Sequence, residues 1–232
     1  MRMRRKRNLD ERLAAVSDYI IERTILDLNM KTSVEKKDYI NYTQVFGNEN
    51  RVELEIGCGK GFFITELAKR NPNVNYIAIE MLSNVIVEAC EKAKKANLRN
   101  VKFMIIRAEC LQSYVPENTV SRIYLNFSTP LPQKGYEKQR LTHRKFLEIY
   151  SKLLVDGGEI HQKTDSKSLF EFSIAEYSQS GFYLKDISLD LLNSDCKNNI
   201  MTEHERKFAQ MDMPIYRIVA YLPEKRSAEK ER

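Results

Sequence analysis

A run of short apolar segments alternating with longer amphipathic ones, from residue 51 onward, predicts an α/β protein with a doubly wound, parallel sheet covered on both faces. Two further observations point the same way. Gly57, Gly59 and Gly61 stand directly between the first apolar segment and the first helical one, where the opening turn of such a sheet lies. At 232 residues, 42% hydrophobic and 30% charged, the chain is long enough to bury one real core, and one domain is the working assumption.

Before that alternation, Leu13, Val16, Ile20 and Ile21 recur at near-helical spacing, so an amphipathic helix is expected over 9–28. A polar connection with aromatic anchors, 36–48, follows and ends in a Gly-Asn turn signal. Strands are expected at 52–56, 74–79, 101–106, 120–125 and 159–163, and helices at 61–70, 82–96, 109–114 and 140–154. Gly157-Gly158 marks a stop before the fifth strand. An amphipathic helix with Leu169, Phe170 and Phe172, a strand near 182–189, a short helix after Thr202 and a last strand at 215–222 complete the order. The expected organisation is a basic arm, helix and approach segment over 1–50, the main domain over 51–223 and a charged tail over 224–232, disordered from 226 onward.

Net charge is +6 and the pI about 9.0, with much of the excess in the arm Met1-Arg2-Met3-Arg4-Arg5-Lys6-Arg7. Such an arm suits a polyanionic partner such as nucleic acid, or is simply a solvated tail. It lacks the apolar core of a signal peptide, and no apolar run reaches membrane-spanning length, so a cytoplasmic, non-membrane protein is expected. Cys58, Cys90, Cys110 and Cys196 form no Cys-x-x-Cys pair, which argues for reduced thiols and no metal site.

The glycine turn can bend sharply and admit a ligand close to its backbone. Its third glycine comes one residue too early for the dinucleotide fingerprint, and no Lys-Ser/Thr pair follows as in a P-loop. Glu55, two residues before Gly57, would repel a phosphate but attract an ammonium. That suits S-adenosylmethionine, with its amino-acid end. Glu80, about 20 residues after the turn, ends the second strand, where an acid conventionally accepts from ribose hydroxyls.

Several motifs in one order carry a resemblance that spans nearly the whole chain: the basic arm, Val45-Phe46-Gly47-Asn48, the glycine turn, Asn126-Phe127-Ser128, Lys138-Gln139-Arg140-Leu141-Thr142, Lys163-Thr164-Asp165 and Asn199-Ile200-Met201-Thr202-Glu203-His204-Glu205. The sequence resembles the bacterial tRNA (guanine-N7)-methyltransferases. That resemblance implies a Rossmann-like class I methyltransferase fold, mostly parallel with an antiparallel C-terminal strand, plus an N-terminal helical extension. It implies methylation of a guanine in the tRNA variable loop, with Glu55, Glu80, Arg107, Ala108 and Asn126 lining the cofactor site; the sequence leaves monomer and homodimer both open. Asp165, Thr202 and Glu205 correspond to guanosine-binding positions.

The chain departs from the family after the fourth strand, where Asn-Phe-x-Asp-Pro-Trp-Pro-Lys is usual and Asn126-Phe127-Ser128-Thr129-Pro130-Leu131-Pro132-Gln133 stands here. Thr129 occupies the position of the family's catalytic aspartate, and Gln133 that of its substrate-binding lysine; Arg107 replaces an acid. Asp165 is then the candidate catalytic carboxylate, with a helix N-cap as its structural alternative. Lys134, Lys138, Arg140, Arg144 and Lys145 form a basic cluster able to clamp phosphates. The second reading is an impaired or non-catalytic tRNA-binding relative, and the third a small-molecule methyltransferase.

Overall fold

The computed structural model of the protein describes residues 5–22, 36–196, 199–211 and 213–223; the first four residues of the arm and the expected tail at 224–232 lie outside them. Seven strands, β1 Val52–Ile56, β2 Asn75–Ile79, β3 Val101–Met104, β4 Val120–Asn126, β5 Leu154–Thr164, β6 Tyr183–Ser188 and β7 Tyr216–Tyr221, form one sheet in the order β3-β2-β1-β4-β5-β7-β6. Neighbours among β1 to β5 run parallel, whereas β7 is antiparallel to both β5 and β6. This is the expected doubly wound α/β sheet with an antiparallel C-terminal strand. Helices α1 Leu9–Ala15, α2 Tyr42–Phe46, α3 Phe62–Arg70, α4 Ser83–Lys95, α5 Leu111–Tyr114, α6 Arg144–Leu153, α7 Lys167–Gln179 and α8 Glu203–Ala209 surround it.

Burial on both faces leaves the central strands rich in apolar residues, and all five residues of β1 and of β2 are buried, Glu53, Glu55 and Asn75 among them. On one face, Ile64 and Leu67 of α3 and Ile86, Ala89 and Cys90 of α4 pack with Tyr76, Ala78 and Phe103. Their spacing of three and four residues puts them on a single helix face. On the other, Leu54, Ile77, Ile123 and Ile160 meet Phe146, Leu147 and Tyr150 of α6 and Phe170 and Tyr177 of α7. Each leucine, isoleucine and phenylalanine among them contributes about 1.5–3 kcal/mol through burial. Because β2 lies on one side of β1 and β4 on the other, the strand order reverses at the carboxyl end of β1, where a crevice opens.

Four expectations need correction. The first helix stops at Ala15, and Ser17–Tyr19 form a 3₁₀ turn. Ile20 then bridges Phe103 in parallel, and Ile21 donates to the Phe103 carbonyl at 2.8 Å. The open edge of β3 competes successfully for this β-branched pair; residues 23–28 lie outside the described ones. Gly157-Gly158 does not precede β5 but lies within it, Gly157 at φ 74°. Val120 pairs with Leu154 but Arg122 with Glu159, so the extra residues bulge. The helix expected over 140–154 starts only at Arg144, with His143 accepting from the Lys145 amide, because Lys134–Gln139 form a 3₁₀ turn of their own. The approach segment holds a helix, α2, that Asn41 caps through the Gln44 amide and Gly47 closes at φ 72°.

The N-terminal segment is fastened to α4. Arg12 grips Glu91 through two bonds of 2.7 Å, and the Lys6 amide donates to Asn84 at 3.0 Å. This places the described end of the basic arm beside the first turns of α4, near the crevice.

Candidate active site

The turn that follows β1 is anchored to β2: the amides of Gly57 and Cys58 both donate to the Ile79 carbonyl, at 2.8 and 3.0 Å. The three glycines differ in purpose. A Cβ on Gly57 or Gly59 would meet nothing within 4 Å, so these two serve a left-handed backbone (φ 77° and 55°) that opens toward the crevice. A Cβ on Gly61 would lie 2.4 Å from that of Ala89, so the third glycine lets α3 and α4 touch.

Glu55, on β1, is buried. Its Oε1 accepts from Asn126 Nδ2 at 3.0 Å, while Oε2 is buried with no hydrogen-bond partner among the described residues. Burial pushes its carboxyl up to about 7; Asn126 and Lys163 pull it down and Glu80 pushes it further up. An orphaned carboxylate oxygen in a crevice is a position that a ligand ammonium would satisfy. Glu80, just past β2, accepts from the Leu82 amide at 3.0 Å.

Two cavities meet at this turn. The larger, about 440 Å³, is lined by Gly57, Glu80, Arg107, Ala108, Asn126, Ser128 and Thr129 among others. The smaller, about 110 Å³, is lined by Glu55, Gly57, Gly59, Asn126, Thr202 and His204 among others. Gly57, Asn126 and Phe127 belong to both. An acid therefore lines each part of one trough, Glu80 the larger cavity and Glu55 the smaller. This donor set fits S-adenosylmethionine, cationic at its amino-acid end and rich in hydroxyls at its ribose.

The loop after β4 forms one wall. Phe127 and Leu131 hold positive φ of 50° and 45°. The Phe127 amide donates to the Lys163 carbonyl at 2.8 Å, and its ring stacks on His204 with centroids 5.3 Å apart. Thr129 is exposed on the cleft; Ser128 Oγ is buried without a partner among the described residues. Gln133 is exposed, and its carbonyl accepts from the Tyr136 amide. Asp165 is half-buried just beyond β5 and does not line either cavity. It is not the helix N-cap either: Ser166 caps α7 by accepting from the Leu169 amide at 3.3 Å.

Two residues expected to touch substrate are instead turned inward. Arg140 is 7% exposed and donates to the carbonyls of Pro130 and Leu131, so of the basic cluster it is the one withdrawn from phosphates. Glu205 is fully buried, 3.2 Å from Lys163 Nζ and accepting from Asn199 at 2.8 Å. With Thr202 it forms the capping box that starts α8. Sequence reasoning missed Ser128, Leu131, Gln139 and Leu141 as cleft residues and the stack of Phe127 on His204. A glutamate three residues after Thr202 was the available signal for the capping box.

Residues 49–218 match the family model described as "Putative methyltransferase". The chain is 44% identical over 225 residues to the tRNA (guanine-N(7)-)-methyltransferase of Geobacillus sp. (strain WCH70), covering 97% of each. It belongs to that methyltransferase family. Family members from Clostridioides difficile (strain 630), 43% identical over 95% of this chain and 98% of theirs, and Bacillus subtilis (strain 168), 44% over 94% and 97%, are similar throughout. Among solved structures, the family fold is shared with the 16S rRNA methyltransferase KamB, at TM-score 0.60 and 14% identity over 81% of this chain and 95% of that one. A SAM-dependent methyltransferase from Aquifex aeolicus follows at TM-score 0.51 and 15% identity, over 84% and 100%. No helix among the described residues is long and apolar enough to cross a membrane.

Proposed function

We propose that this chain transfers the methyl group of S-adenosylmethionine to N7 of a guanine in the variable loop of tRNA. The observation that carries the reading is the orphaned Glu55 oxygen sharing one trough with Glu80, in a chain 44% identical to a tRNA (guanine-N(7)-)-methyltransferase. Likeness over 97% of each chain favours an enzyme over a non-catalytic RNA-binding relative or a small-molecule methyltransferase.

S-adenosylmethionine, when bound, supplies a methyl group on a positively charged sulfur. Glu55 would accept from its ammonium and Glu80 from its ribose hydroxyls, and the side-chain-free backbone at Gly57 and Gly59 would let it approach closely. Arg107, Ala108 and Asn126 complete the lining of the trough. Guanine N7 already carries a lone pair, so no side chain has to remove a proton before attack. The protein's tasks are to align the base and to offset the positive charge that passes onto it.

Asp165 is our candidate for the second task. The bond from the Phe127 amide to the Lys163 carbonyl holds the β4 loop against the end of β5, two residues before Asp165. Thr129 stands on the cleft with a hydroxyl in place of the family's carboxylate, and Thr202 lines the smaller cavity. Gln133 lies on the exposed rim, beside exposed Lys134 and Lys138, which suit phosphates of the tRNA backbone.

Incubating the full chain with S-adenosylmethionine and an unmodified tRNA transcript, then hydrolysing to nucleosides, tests this. 7-Methylguanosine should appear by mass spectrometry, and chain cleavage at the modified base should map to the variable loop. Cofactor binding without transfer to any tRNA would overturn the reading.

A further inference from the structure

We infer that Arg140 is a positioning residue: seated on the Phe172 ring, its guanidinium fixes the backbone of residues 127–131 so that Ser128 and Thr129 face the cleft. The inference rests on the methyl-transfer reading above and assigns Arg140 no contact with RNA.

The geometry suits a backbone clamp. Nε donates to the Pro130 carbonyl at 3.0 Å and Nη2 to the Leu131 carbonyl at 3.1 Å, so one planar fork holds two consecutive peptide units. The carbon of the guanidinium lies 4.4 Å from the centre of the Phe172 ring, which covers its face. Nη1 lies 3.9 Å from Glu137, so the charge is balanced within the protein. With only 7% of the residue exposed, little is left for a phosphate.

The clamped loop needs holding. Phe127 and Leu131, one at each end, occupy the left-handed region at φ 50° and 45°, which side-chain-bearing residues keep only when surroundings impose it. Between them lie Ser128, whose hydroxyl oxygen is buried without a partner among the described residues, and Thr129. Both line the cleft. Gln139 and Leu141, the neighbours of Arg140, line the same cleft, so clamp and wall belong to one segment. Phe172 lies on α7, which begins just after Asp165. Through it, Arg140 ties the loop after β4 to the segment after β5, joining the two stretches that carry Thr129 and Asp165.

The test compares full-length wild type, Arg140→Lys and Phe172→Leu with S-adenosylmethionine and an unmodified tRNA transcript. Lysine keeps the charge but not the fork, so a phosphate contact would survive where a two-carbonyl clamp would not. For Arg140→Lys we expect kcat to fall about 100-fold, the loss that a misplaced reacting group brings. The KM for tRNA and the cofactor Kd should stay within about twofold, because ground-state binding is spared. The salt dependence of tRNA binding should be unchanged, and amide hydrogen exchange should quicken in residues 127–131 but not in β1 or β4.

Unchanged kcat and exchange would overturn the inference. So would a raised KM for tRNA with kcat and exchange intact, the mark of a contact made with the substrate in the ground state rather than with the loop. Should Arg140→Lys fail to fold, Phe172→Leu decides, since it leaves the fork in place and removes its platform. It should show the same kcat-only pattern at about tenfold, and wild-type behaviour would overturn the inference. If wild type itself transfers no methyl group, the methyl-transfer reading fails, whereas the exchange measurement still judges the clamp.

Discussion

Glu55→Gln should make the free protein more stable above neutrality while ruining its hold on S-adenosylmethionine. The wild-type carboxyl titrates near 7 in the folded chain against an ordinary value of 4.5. Its folded form therefore holds the proton more tightly than its unfolded form, and stability is present at low pH and lost as pH rises toward 7. Glutamine keeps the oxygen that accepts from Asn126 and has no charge to bury. The stability difference between variant and wild type should thus grow by about 2.5 kcal/mol between pH 5 and pH 8. Urea unfolding of the free protein at those two pH values measures it.

The same shift governs the ligand. Because the ammonium prefers ionised Glu55, wild-type affinity should strengthen about 25-fold from pH 5.5 to pH 7.5, while Glu55→Gln binds at least about tenfold more weakly at pH 7.5 and loses that dependence. Isothermal titration reads both. If the variant were no more stable than wild type at pH 8, or wild-type binding were flat across this window, the orphaned carboxylate would not be the cofactor's anchor.

Other perturbations address separate parts of the molecule. Gly61→Ala sets a methyl group 2.4 Å from Ala89 Cβ at a positive φ and should cost about 3 kcal/mol or more by chemical denaturation. Lys163→Met leaves Glu205 charged, buried and without its cation; it should destabilise by about 3–5 kcal/mol, with hydrogen exchange rising first in α8. Lys138→Ala, on the exposed rim, should weaken tRNA binding and lower the slope of log Kd against log salt by about one, with cofactor affinity unchanged. Thr129→Asp should raise kcat at least about tenfold by adding a carboxylate to the cleft; an unchanged single-turnover rate would remove that position from the mechanism.

Local patterns made much of the fold and part of the site legible. Strands β1 to β4 announce themselves because burial on both faces leaves short segments rich in β-branched and other apolar residues between turn and helix signals. The glycine turn is visible because three residues without side chains cannot be explained by packing along one helix. Glu55 and Glu80 are readable from their place at strand ends. What stayed hidden depends on distant partners. Arg140 reads as one more member of a basic cluster, since nothing near it in the chain reveals the Phe172 ring or the carbonyls it grips. Ile20 and Ile21 fit a helical spacing until the open edge of β3 offers them a strand instead. Asp165 and Ser166 are both acceptable caps by residue type, and only the fold shows that Ser166 accepts from the Leu169 amide. The orphaned oxygen of Glu55 is likewise a property of its enclosure, invisible in the letter E.

The placement of β7 has a consequence for how the molecule is made. Among the described strands, β7 is made after both β5 and β6 yet is seated between them, so during synthesis β6 emerges before the neighbour that will hold it. Until Tyr216–Tyr221 arrives, β5 ends the sheet with an open edge, directly beside the strand end that carries Lys163 and leads to Asp165. A nascent chain stopped before residue 216 would thus carry a finished glycine turn beside an unfinished sheet edge prone to pairing with other chains.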